Sequence, residues 1–191
     1  TKDFLDDVLW RRIDLLVKLN RSEEAREAAF QLLKKYPEDL SLTMKVSESY
    51  SGSPANYEMR LSWNSKVYDR CNFEQVDEFC FDVAQQRMMT LVVLQKHTEL
   101  KKTAEKLLAA DLDDWYRAVP KFYLGLAKKA SNDFVGAKED LVWSRVHNEF
   151  YQQSLLTLLQ QSGYYDGEVT DPWSAKAENA LDACIIDTDC T

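Results

Sequence analysis

An all-α fold of stacked helical hairpins is what this sequence predicts, on three observations. A small or apolar residue within a helical pattern recurs at Ala25, Leu61/Ser62, Leu100, Ala137 and Ala175, at spacings of roughly 37, 38, 37 and 38 residues, the range of stacked helix pairs. Only 5 glycines and 4 prolines interrupt 191 residues, too few for the frequent turns of a β protein. Between those breaks, apolar residues return at three- and four-residue intervals, the period of an amphipathic helix.

The first helix is expected over residues 2–19, where Phe4, Leu5, Val8, Leu9, Ile13, Leu16 and Val17 share a helical pattern that starts near Lys2. Asn20-Arg21 makes a joint and Ser22 an N-cap. Glu23 and Glu24 then suit the positive end of a second helix carrying Ala25, Ala28, Ala29, Leu32 and Leu33, which Pro37 stops. A third helix starts at Glu38-Asp39 and runs to about Tyr50, where Ser51-Gly52-Ser53-Pro54 breaks the chain. The fourth covers about 54–69, with Arg70-Cys71-Asn72 as the next joint. The fifth is expected from Phe73 to about Gln95, and its length and apolar end place it deep in the stack.

A short sixth helix follows over about 99–110, and the acidic segment from Asp111 to Asp114 caps a seventh over 115–130. Pro120 would move its true start toward Val119. Ser131-Asn132-Asp133 separates an eighth helix over 134–146, and a ninth covers 149–161. After a break at 162–167, a last helix is expected over 172–183, with Asp171 as N-cap and Pro172 at its first position. No long linker divides the chain, so it reads as one helical-repeat domain over 1–191, with 184–191 as a less ordered tail.

One stretch carries a more specific pattern. Phe122-Tyr123-Leu124-Gly125-Leu126-Ala127, continuing through Asn132-Asp133-Phe134-Val135-Gly136-Ala137 to Leu141, resembles a tetratricopeptide repeat. That family places Leu-Gly on its first helix, an aromatic at the inter-helix turn and an alanine twelve residues after the glycine. Leu124-Gly125, Phe134 and Ala137 fall at those places. Small residues at such positions let two helices approach closely. The segment 19–37, with Ala25, Leu33 and Pro37, matches the second half of such a repeat, whereas the remaining hairpins keep only the spacing. The resemblance implies a right-handed array of about five antiparallel hairpins, a tetratricopeptide-like solenoid, with a concave groove lined mainly by the first helix of each pair. It also implies groove-facing positions at Trp10 and Asp14 and at Phe122 and Leu126, of which Trp10 has the strongest anchor character.

The formal net charge is -8, from 24 Lys+Arg against 32 Asp+Glu, which opposes a nucleic-acid partner because such binding draws on cations. The richest apolar run, 88–94, is far short of the roughly 18 residues of a bilayer span, so a soluble chain without membrane insertion is expected. Catalytic patterns are lacking: two histidines sit in no triad motif, and no glycine-rich phosphate loop occurs. Asp166, Glu168 and Asp171 lack the alternation of a calcium loop and read as solvated acids. No catalytic residue, metal site or cofactor is therefore expected.

The 4 cysteines fall in two local pairs. Cys184 and Cys190 lie where a flexible tail can bring them to bonding distance, whereas Cys71 and Cys80 can meet only if Cys71 sits in a loop that folds back. Neither pair has zinc-knuckle spacing. Extracytoplasmic (periplasmic or secreted) and cytoplasmic locations both stay open. Tyr164 and Tyr165, with Trp173, add aromatic partner-binding candidates outside the helical register, although packing of the last helix accounts for them too. The expectation is a noncatalytic module that binds a peptide or protein in a helical groove. An oligomerisation or scaffold segment, with self-association, is the alternative, and a helical enzyme or small-ligand domain a further one.

Overall fold

A computed structural model describes residues 4–19, 21–50, 53–170, 172–188 and 190. Lys2, Asn20, Ser51, Gly52, Asp171, Asp189 and Thr191, and the side chains of Phe4 and Leu5, lie outside the described residues. The rest folds into ten helices, with no strand among the described residues: α1 (Phe4–Lys18), α2 (Ser22–Lys35), α3 (Leu40–Glu48), α4 (Pro54–Tyr68), α5 (Glu78–Val93), α6 (His97–Leu108), α7 (Asp114–Ala130), α8 (Phe134–His147), α9 (Glu149–Gln161) and α10 (Ala175–Ile186). Packing is mainly between consecutive helices. The chain is an all-α protein.

Side-chain caps set most starts, because an oxygen that accepts from a first-turn N–H satisfies a group the helix leaves orphaned. Asp39, Ser53, Asp77, Asp113, Asp133, Asn148 and Ser174 all act this way. Three boundaries differ from the sequence expectation for this reason. Asp77 accepts from the Cys80 N–H, so α5 starts at Glu78 rather than Phe73, and its run of apolar residues is two-faced: Met88 and Leu91 are buried while Met89 and Val93 are half exposed. Asp113 starts α7 ahead of Pro120, which sits inside the helix; the bond its missing N–H would make is given up, and the residue is buried. Ser174 starts α10 at Ala175 instead of Pro172, and the shift carries Cys184, Ile185 and Ile186 from the expected tail into the helix. Ser22 is the first helical residue of α2 and not its cap, which falls at Arg21.

The chain divides into two compact units, Thr1–Asn72 with Val76–Gln95, and Phe73–Gln75 with Lys96–Thr191. In the first, Ile13, Ala28, Ala29, Leu32, Leu42, Val46 and Tyr50 form a core cluster. A fully buried leucine of this kind stabilises by about 1.5–3 kcal/mol relative to exposure. Buried polar groups tie the later helices: Ser47 Oγ donates to the Arg60 carbonyl at 2.8 Å, and Asn64 Nδ2 to the Val83 carbonyl at 3.0 Å. Cys71, in the loop before α5, is disulfide-bonded to Cys80 with a Cα–Cα distance of 5.5 Å.

In the second unit the tightest approach is between α7 and α8. A Cβ built on Gly125 would stand 2.7 Å from Leu141 Cγ and 3.1 Å from the Ala137 carbonyl oxygen, so only glycine fits there without a shift. Asp140 of α8, 2% exposed, is held by two lysines of α7, Lys121 at 2.6 Å and Lys128 at 2.7 Å. Glu178 of α10 receives Arg145 of α8 at 3.1 Å and the Trp173 indole N–H at 2.8 Å. A disulfide joins Cys184 and Cys190 across a Cα–Cα distance of 5.3 Å.

Candidate functional site

The first unit carries a continuous polar row over four helices. On α1, Asp14 lies one turn beyond Trp10, so both share a face. Lys45 of α3 reaches Asp14 at 3.0 Å and Glu48, three residues along its own helix, also at 3.0 Å. Glu48 accepts in turn from Gln86 of α5 at 2.9 Å, and Gln86 accepts from Arg60 of α4 at 3.3 Å. The row is neither buried nor fully solvated: Asp14 is 46%, Lys45 27% and Glu48 22% exposed. Trp10 stands at its edge, half buried against the core cluster.

The electrostatics favour a cation at one end. Burial alone would depress the Lys45 ammonium, but hydrogen bonding and charge from Asp14 and Glu48 outweigh it and hold the pKa above its ordinary value. On α5, Asp82 is one turn before Gln86. Partial burial first, then the Glu78 and Glu48 charges, push its carboxyl above the usual range. Glu48, Glu78 and Asp82 thus crowd one side of the row with negative charge. Continuing along the same face of α5, Met89 is 48% and Val93 53% exposed, so the polar stretch ends in an apolar one.

Sequence-expected positions fall in different places. Asp14 belongs to the row, and Trp10 lies one turn before it on α1, packed against the core cluster. Phe122 is 7% exposed and packs 4.7 Å from the Tyr151 ring, in an aromatic group with Tyr123, so it is part of the interior of the second unit. Leu126 is half buried. Tyr165 is buried, and the Tyr164 hydroxyl donates to the Asp187 carboxylate. Cys184 and Cys190 close a short ring whose backbone is pinned from α7: Lys129 donates to the Asp187 carbonyl at 2.9 Å and the Cys190 carbonyl at 2.6 Å. Burial lowers the Lys129 pKa. The second-unit aromatics are mostly committed to packing.

Lys45, Glu48, Asp82 and Gln86 were not singled out by sequence reasoning. Their one signal is polar residues three or four apart in α3 and α5, where a solvated stripe would look the same. Among the described residues no group of three or more His, Cys, Asp or Glu side chains could hold a metal ion, and no helix is long and apolar enough to cross a membrane. His147 is stacked on Trp143 at 3.9 Å, and its Nδ1 lies 2.8 Å from the Trp143 carbonyl. No family model, no curated protein and no solved structure matches this chain.

Proposed function

We propose that the protein is a noncatalytic interaction module, and that the polar row of its first unit receives a peptide or a segment of a partner protein. The observation that carries this reading is the bonded chain Asp14, Lys45, Glu48, Gln86, Arg60, which crosses four helices while staying partly open to solvent. Side chains cross-linked in this way lose little further freedom on binding, which lowers the entropic cost of recognition. Trp10 at the edge offers an aromatic anchor, and the Glu48, Glu78 and Asp82 charges favour a ligand with a lysine or arginine. The tetratricopeptide resemblance supports the same reading: it implies a groove lined mainly by the first helix of each pair, and α1 and α3, first helices in that scheme, supply Asp14, Lys45 and Glu48 of the row.

An array of short peptides graded from acidic to basic, read by fluorescence anisotropy, tests this. Basic peptides that also carry an apolar residue are expected to bind, more weakly at high salt. Trp10→Ala and Glu48→Ala are each expected to weaken the best binder about tenfold with the helical circular dichroism retained. Binding unchanged in both variants, or no binder in the array, overturns the assignment.

A further inference from the structure

Two exposed apolar features match each other in spacing and charge. On α1, Val8 is 46% and Leu15 58% exposed, seven residues apart on one outward face. Between them stand Arg11 and Arg12, both exposed and without a carboxylate partner among the described residues. In the second unit, α8 and α10 enclose an open groove of about 580 Å³ lined by Phe134, Val135, Val142, Ile185 and Ile186. Its α8 wall repeats the α1 pattern, Val135 and Val142 seven apart with Lys138 and Glu139 between them.

The charges differ in the required way. Lys138 is engaged by Asp182, and by Glu178 at 3.5 Å, so it is compensated within its own unit. Glu139 is exposed and has no cationic partner among the described residues. The groove therefore presents apolar walls with one uncompensated carboxylate midway, and the ridge presents apolar side chains with uncompensated guanidinium groups midway. A single register lets Val8 and Leu15 enter the groove while Arg11 or Arg12 reaches Glu139. Val135, 73% exposed, and Ile186, 67% exposed, would then be covered.

We infer that the α8–α10 groove is a docking site for the α1 ridge of a second copy of this chain. Ridge and groove are different patches, so the contact is heterologous and each joined pair keeps one free ridge and one free groove. Assembly runs head to tail, and with only two apolar side chains of the ridge entering the groove it falls among weak, concentration-dependent associations. This contact is independent of the polar row, whose residues it does not use.

Sedimentation velocity on the full chain over a dilution series tests it, with three variants. Wild type is expected to grow in mass with concentration. Leu15→Glu breaks the ridge and Val135→Glu the groove. Both positions are exposed, so the circular dichroism should be unchanged while association falls about tenfold or more. Mixing the two leaves one intact ridge and one intact groove, so the mixture should form a dimer and nothing larger. Arg12→Glu should weaken assembly, and adding Glu139→Arg to it should restore part of the loss. A wild type that stays monomeric, a mixture that stays monomeric, or growth that survives either glutamate substitution overturns the inference.

Discussion

In the first unit a chain of polar side chains lies open across the surfaces of α1, α3, α4 and α5, whereas in the second a carboxylate shared by two lysines is drawn inside. Asp14, Lys45 and Glu48 remain between a fifth and a half exposed, but Asp140, gripped by Lys121 and Lys128, is 3% exposed at its side chain. One aromatic group of the second unit is drawn inside as well. Trp10 reaches the edge of the row, while Phe122, Tyr123 and Tyr151 pack on one another, and burial drives the Tyr123 hydroxyl well above its ordinary pKa. The difference teaches that one building plan, consecutive packed helices, can hold a charged residue either as a clamp or as a contact. Helical spacing is common to both; which neighbour covers the side chain separates them.

The most severe way to strain this contrast is in the second unit. Gly125→Leu would press a side chain into Leu141 and the Ala137 carbonyl, and is expected to cost about 3 kcal/mol, read as a lowered denaturant midpoint. A variant as stable as wild type would mean that α7 and α8 are not in close contact there.

The next test sets the two carboxylates side by side. Asp140→Ala removes the shared partner of two lysines that are themselves only 29% and 22% exposed, and should cost about 2 kcal/mol. Asp14→Ala breaks a half-exposed pair and should cost less than about 1 kcal/mol. Equal losses would erase the distinction between clamp and contact.

The smallest effect sharpens the reading of the row. Because the folded Asp82 carboxyl is raised above its ordinary 3.8, the folded state holds that proton more tightly than the unfolded chain. Its contribution therefore turns unfavourable as pH rises from 3.8 through the folded value, and the penalty is complete above that window. Asp82→Asn should stabilise near neutral pH by well under about 1 kcal/mol, since the group is solvent-screened, and the gain should vanish in acid. A pH-independent difference would show that neither partial burial nor the Glu78 and Glu48 charges act on this carboxyl.

Much of the fold was legible in the chain. Capping residues such as Asp39, Asp113 and Asp133, and the apolar recurrence between them, announce most helices, because caps and periodicity act within a turn or two of their own position. Where two candidate caps compete, local reasoning loses its grip: Ser174 starts α10 although Pro172 looked like its first position, and Asp77 displaces Phe73 as the edge of α5. The site was less legible. Asp14 could be named from the resemblance, but Glu48 and Gln86 are 38 residues apart and meet only because α3 and α5 are brought together.

By itself, then, the sequence determined an all-α chain, its helix order and the small residues, Gly125 and Ala137, at which two helices close on each other. Only the tertiary structure decided that Phe122 is interior, that Asp140 is a buried clamp, and that Lys45 links two carboxylates in an open row. The physical reason is range. Backbone capping and helical period are satisfied within a few residues, whereas burial and ion pairing depend on which side chains, distant along the chain, exclude water from the same place.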